Sequence, residues 1–333
     1  MAGRLNRTQL IKDQLTNPGA LSRPVLTYIN GDVSWLVSFP RPESGQNIPN
    51  RKYYHVLIDP WFGQASIFIS SLVLEMETGR DPWHTSRLAV DDTIAEIELA
   101  AGNSLASTED GPVVDAIFVT AMAEHCHQGS LLQFSASTPV FAVAAPARTI
   151  ASWGHFDTVV TMCSFDPSKS SWKEGHPGAP LPAWLTAFPP TVTHSNNFGL
   201  VLITSANSGT EEMILMAPHG IYAQESSINA LGTTVKMLAL VAPLKDSYAF
   251  GMKQVLGVED GLAIAQAAGT RYYVRNGDFV SLKYKGVIGW SVKDVPRSLQ
   301  WGVDQRTAKL GADKVAEPPI LIEIENGGSF VLI

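Results

Sequence analysis

The sequence predicts an α/β protein in which β-sheets are sandwiched between helices. Three observations predict it. Short apolar runs bounded by turn residues recur at 53–58, 113–119, 140–145 and 198–204, as buried strands require. Segments with helical spacing lie among them, such as 259–268, which Gly269 stops. The order is strands first, then strands and helices in alternation, a pattern of layered α/β folds rather than of an all-α or all-β chain.

Residues 1–20 read as a helical arm that ends at Asn17-Pro18-Gly19. Segment 25–39 alternates and contains Asn30-Gly31, a strong hairpin signal. The strand 53–58 runs into Asp59-Pro60-Trp61-Phe62, and 93–99 fits either a short strand or a helix. A strand at 113–119 is followed by a helix opening at 128–134, a strand at 140–145 and a helix beginning at 149–153. Segment 164–190, rich in Pro, Gly, Ser and Trp, reads as a long loop excursion, and such loops are often functional. Strands at 198–204 and 213–216 flank a polar turn. Segment 226–241 reads as a helix, with Ser at its start and Pro243 beyond its end. A strand at 271–274 precedes Asn276-Gly277-Asp278, and further strands are expected at 280–288 and 320–324. All of 1–333 is expected to form one domain.

Composition narrows the function. With 45% hydrophobic residues, the 333-residue chain has material for a large core. A net charge of −7 without a Lys/Arg cluster argues against nucleic acid or anionic membrane as the main partner. The two cysteines, Cys126 and Cys163, form no CxxC pair, so neither a zinc ribbon nor a disulfide framework is expected. Two cysteines fit a reducing compartment, and no apolar run has signal-peptide or membrane-spanning length, so a cytoplasmic location is expected. A homodimer is compatible with every reading below.

The most informative segment is 113–127, VVDAIFVTAMAEHCH. The overlapping segment 119–131, together with 53–63, 214–221 and 270–279, resembles the metallo-β-lactamase fold, in a fungal-type branch of metallohydrolase-like proteins. That resemblance implies an αββα sandwich of two mixed β-sheets flanked by helices. It places Asp59 at a strand end near the site. It also sets residues 120–125 where the family carries His-x-His-x-Asp-His. Thr120 and Met122 then replace the first two histidines, Glu124 replaces the Asp, and His125 remains. Threonine is a poor ligand for first-row metals, and a thioether prefers soft ones. The resemblance further puts His194 at a later ligand's place, His219 or Gly220 at the bridging Asp, and Asn276 or Gly277 at the terminal His. Neither metal site keeps its full set, so no cofactor is expected. A residual single divalent metal on Glu124, His125, His127, His194 or His219 is the alternative.

Glu124, His125 and His219 are the candidate catalytic residues. A carboxylate at the end of a buried strand has its pKa raised, and imidazole titrates near neutral pH, so both suit acid–base work. His219 lies on a loop after a strand, where α/β sites are built. Candidate substrate-binding residues are Trp61, Phe62, Met122, His127, Trp153, His155, His194, Tyr273 and Asp278; core packing is the rival reading of the aromatics. The expected function is a metal-independent enzyme performing acid–base lyase, isomerase or cyclisation chemistry on an apolar small molecule of secondary metabolism. The alternatives are a mono-metal hydrolase of a thioester, ester or lactone, and a non-enzymatic binding or scaffold protein.

Overall fold

The computed structural model describes residues 2–42, 51–63, 65–79, 82–103, 113–165, 171–191, 198–205, 210–222, 228–232, 234–277 and 282–333. Two mixed sheets face each other. The first has seven strands, in the order Ser329–Val331, Val25–Tyr28, Trp35–Pro40, Tyr53–Ile58, Ala116–Val119, Val140–Ala142, Val159–Thr161. It is antiparallel up to Tyr53–Ile58 and parallel beyond. The second has six strands, in the order Ile320–Ile322, Tyr272–Arg275, Lys236–Ala242, Glu212–Met216, Leu200–Thr204, Leu185–Phe188.

Period-two alternation divides the side chains among three apolar layers. Along Trp35–Pro40, Trp35, Val37 and Phe39 enter the core between the sheets, whereas Leu36 faces the other way. Along Leu200–Thr204, Leu200 and Leu202 face inward, and Val201 and Ile203 outward. The outer face of the first sheet is covered by the helices Ala2–Leu15, Arg87–Ala100 and Ala144–Ser152, through residues such as Ile11, Ile94 and Ile150. The outer face of the second is covered by Val258–Ala267 through Leu262 and Ala265, with Leu299–Leu310 beside it. Each fully buried aliphatic side chain contributes roughly 1.5–3 kcal/mol, so these three layers hold the sandwich. This is the expected αββα arrangement.

Several elements differ from expectation. The segment expected as a helix at 226–241 is one helical turn, Ile228–Leu231, followed by the strand Lys236–Ala242; residues 226, 227 and 233 lie outside the described residues. That strand is central, with parallel neighbours on both sides and both faces covered, so its sequence is apolar from Met237 to Ala242 and carries no period to read. Segment 93–99 is helix, within Arg87–Ala100. The strand Val140–Ala142 ends early because the next helix begins at Ala144. The 164–190 excursion contains the edge strand Leu185–Phe188. Segment 280–288 is the strand Leu282–Lys285 and a helical turn, with 280 and 281 outside the described residues.

Two three-stranded sheets add to the sandwich. One pairs Met252–Val255, Asp246–Ala249 and Lys293–Val295; the other pairs Leu282–Lys285, Leu74–Thr78 and Ser66–Phe68. Among the described residues, no helix is long and apolar enough to cross a membrane.

Candidate active site

Loops at the carboxyl ends of four strands meet at one end of the sandwich, the usual position of ligand sites in open α/β sheets. Asp59 follows Tyr53–Ile58, residues 120–126 follow Ala116–Val119, His219 follows Glu212–Met216, and Asn276 follows Tyr272–Arg275. Asp59 (φ 47°) and Ala123 (φ 57°) both adopt left-handed backbone. Such conformations are uncommon outside glycine and gather at functional sites.

Asp59 is the organising group. Its carboxylate accepts from the Thr120 backbone N–H at 2.8 Å, from Thr120 Oγ1 at 2.6 Å and from His125 Nδ1 at 2.8 Å. The His125 tautomer with its proton on Nδ1 satisfies this network. His125 Nε2 is then left buried with no hydrogen-bond partner among the described residues. It lies 3.6 Å from Glu124 Oε1, and His219 Nε2 lies 3.8 Å from the same oxygen. One ligand atom from each of Glu124, His125 and His219 falls within 4.8 Å of the other two. Phe198 packs against both imidazoles, with ring centroids at 4.8 Å from each. Gly220 (φ 72°) lets the His219 turn press against Leu256, where an added Cβ would meet the Leu256 carbonyl oxygen.

Burial pushes the Glu124 carboxyl above its ordinary pKa, and the neighbouring His125 offsets this only in part. Burial alone would lower His125, but the charge and hydrogen bond of Asp59, together with Glu124, outweigh it and hold the imidazole above its usual value. The Cys126 thiol is pushed up to about 12 by burial, which makes it an inert thiol.

A single divalent cation suits this constellation. Two imidazole nitrogens and a carboxylate oxygen are good ligands for zinc or iron, and a carboxylate behind the ligating histidine is a common support. Ligands about 2.0–2.1 Å from a tetrahedral zinc lie roughly 3.3–3.5 Å apart. The 3.6 and 3.8 Å separations are close to that and too long for hydrogen bonds. His125 Nε2, buried and without a hydrogen-bond partner among the described residues, is placed to take a ligand. A second cation does not fit the described residues. Thr120 is committed to Asp59, Met122 offers only a thioether, and Asn276 Oδ1 accepts from Trp35 Nε1 at 2.7 Å.

A cavity of about 1080 Å³ opens over these groups and includes Met122, Glu124, His125 and His219 in its wall. Leu74, Met76, Tyr248, Leu282, Tyr284 and Ile288, from the two small sheets and the turn after them, form its far side, so the lining is mainly apolar. Asp32, on the loop between the first two strands of the chain, also faces it.

The other candidate residues are placed elsewhere. Trp61 is fully buried, and Phe62 packs on Phe134. His127 caps a helical turn, accepting from the Ser130 N–H. Trp153 packs against the helix-covered layer, and His155 hydrogen-bonds to the Phe134 carbonyl. Tyr273 is buried and donates to the Pro243 carbonyl. None of these lines the large cavity, because aromatic rings gain more from the core than from an open wall. His194 and Asp278 lie outside the described residues. Sequence reasoning assigned no role to Asp32 or Phe198; the turn setting of one and the apolar neighbours of the other conceal them.

No family model and no curated protein matches the chain. Solved structures do. The isothiocyanate hydrolase from Delia radicum gut bacteria aligns with 92% of this chain and 99% of its own, at 14% identity and a TM-score of 0.51. A "possible metal-dependent hydrolase" from Veillonella parvula aligns over 93% and 100%, at 9% identity and a TM-score of 0.51. A metallo-β-lactamase-fold protein from Bacillus subtilis aligns over 92% and 99%, at 13% identity and a TM-score of 0.43. The chain has the metallo-β-lactamase fold. Identities this low carry the fold and no activity.

Proposed function

We propose that this protein is a hydrolase with a mononuclear metal site on Glu124, His125 and His219, acting on a large apolar acyl compound. One observation carries the reading: among the described residues His125 Nε2 is buried without a hydrogen-bond partner, and it converges with Glu124 and His219. Bound there, a divalent ion supplies Lewis acidity and a lowered water pKa. Asp59 orients His125 and favours the tautomer whose Nε2 lone pair faces Glu124 and His219. Phe198 limits the rotation of both imidazoles by packing on them. The apolar walls exclude bulk water and select the acyl chain.

A second reading, a metal-free site for acid–base lyase, isomerase or cyclisation chemistry, is favoured by Glu124, a carboxyl that burial pushes above its ordinary pKa beside two imidazoles. Elemental analysis of protein purified without chelator or nickel resin separates the two. About one equivalent of zinc, iron or manganese, lost in His219→Ala, supports the hydrolase. A metal-free, folded protein that binds none on addition overturns it in favour of the acid–base reading.

A further inference from the structure

Asp32 is a polar side chain in the cavity wall for which neither the fold nor the metal cluster supplies a use. It is only 6% exposed, yet no hydrogen bond reaches its carboxyl oxygens from the described residues. Its backbone, by contrast, is held at both ends. Asp32 N–H donates to Asn30 Oδ1 at 2.9 Å, and Tyr28 Oη donates to the Asp32 carbonyl at 3.0 Å. Tyr28 Oη in turn accepts from the Gly277 N–H at 2.7 Å, which ties this loop to the end of Tyr272–Arg275. A Cβ added at Gly277 would lie 3.5 Å from Asp32 Oδ1. The loop, with its backbone held, therefore presents a carboxyl that has no hydrogen-bond partner among the described residues to the cavity that His125 and Glu124 also face.

We infer that Asp32 is the proton donor to the departing oxygen of an ester or lactone bound in this cavity, an assignment that rests on the hydrolase reading above. The charged and titratable groups that act on Asp32 are Lys245, Glu124, His125, Asp294 and Tyr284. Lys245 is already paired with Asp294 at 2.8 Å. Burial dominates, pushing Asp32 up to about 7, so a large share of the carboxyls carries a proton at neutral pH. The step balances. The oxygen of the attacking water bonds to the acyl carbon, and the acyl C–O bond breaks with its electron pair going to the leaving oxygen. Asp32 gives that oxygen its proton, and the proton released by the attacking water restores the acid. A thiolate leaves readily without such help, whereas an alkoxide does not, so an acid here selects oxygen esters and lactones over thioesters.

The test uses two octanoate esters with the same acyl chain, para-nitrophenyl octanoate and ethyl octanoate. In the wild-type protein, kcat/KM depends weakly on the acidity of the leaving alcohol. Asp32→Asn keeps the size and the backbone bonds of the loop. It lowers kcat/KM on the ethyl ester by roughly 100-fold or more and on the nitrophenyl ester by less than about 10-fold. Equal losses on both esters, no loss on either, or wild-type protein inert toward both would overturn the assignment. So would a steep leaving-group dependence in the wild type, which needs no variant to fold. Metal content is measured on the same samples. A metal-free wild-type protein that keeps the leaving-group pattern sinks the metal-site reading and leaves Asp32 standing.

Discussion

Asp59 accepts the Nδ1 proton of His125 at 2.8 Å, and that one bond decides which imidazole nitrogen faces Glu124 and His219. Asp59 thus acts through another residue and is a positioning group. In Asp59→Asn the side chain can still accept from the Thr120 N–H, but it gives up the negative charge that favours the His125 tautomer. Zinc affinity should fall roughly 10- to 100-fold, the usual effect of losing a carboxylate behind a ligating histidine. Competition with a chromophoric chelator measures it. An unchanged dissociation constant would remove Asp59 from the role.

Gly220 carries the turn that aims His219. Its φ of 72° favours glycine, and an added Cβ would lie 2.2 Å from the Leu256 carbonyl oxygen. That oxygen belongs to backbone whose N–H donates to the His219 carbonyl at 2.9 Å, so it cannot move alone. Gly220→Ala should cost about 2–4 kcal/mol, more than the strain of left-handed backbone by itself. Urea unfolding measures the shift in midpoint. A loss under about 1 kcal/mol would mean that the turn yields.

A second histidine network bears on stability and does not line the large cavity. Ser38 Oγ and His55 Nδ1 are 2.8 Å apart, and His55 Nε2 and Glu98 Oε1 are 3.1 Å apart, all fully buried. Burial would raise Glu98. The His55 hydrogen bond and the donors Lys52 N–H and Asn103 Nδ2 overcome it and hold the carboxyl down at about 2. Burial also lowers His55, so the folded protein prefers the neutral imidazole. Both groups act in the same direction. The unfolded chain takes up a proton on His55 below about 6.5 and on Glu98 below about 4.5, where the fold resists both. Stability should therefore be full above that window and fall as pH drops through it toward 2. Denaturant titrations across this range should show the loss, and Glu98→Gln should flatten it. An equally steep fall in that variant would assign the acid sensitivity elsewhere.

The legibility of this chain follows from how local each signal is. Strands such as Tyr53–Ile58 and Glu212–Met216 are written in short apolar runs, and Glu124, His125 and His219 in residue type and place after a strand. Lys236–Ala242 misleads because a strand covered on both faces loses its period. Trp61 and Tyr273 mislead because a ring near a strand end can turn into the core as readily as into a pocket. The role of Asp59 is set by a partner distant in sequence, His125, and the setting of Asp32 by the cavity that distant segments form around it. No window of neighbouring residues contains that information. Residue type still ranks the candidates, but convergence belongs to the topology.

Asn30 shows the same point and can be tested. Asn30-Gly31 reads as a two-residue hairpin turn, yet Tyr28 pairs with Trp35 and the loop between them is longer. The Asn30 side chain is fully buried inside that loop. Its Oδ1 accepts from the Asp32 and Ser34 N–H groups at 2.9 and 3.0 Å, and its Nδ2 donates to the Trp61 carbonyl at 3.0 Å. Ser34 Oγ then bonds the Asp59 carbonyl, so the loop and the organising carboxylate share one scaffold. Asn30→Ala leaves two donors and one acceptor without their partner, at about 1–3 kcal/mol for each one that water cannot reach. Some relaxation is expected, so the net loss should be about 2–4 kcal/mol. The damage should also extend to function: because the loop positions Asp32, ethyl octanoate hydrolysis should suffer more than para-nitrophenyl octanoate hydrolysis, even at temperatures where the variant is fully folded. Thermal unfolding together with the two-ester comparison tests both halves. A variant that loses stability while keeping the wild-type ester ratio would separate the loop's structural role from the placement of Asp32.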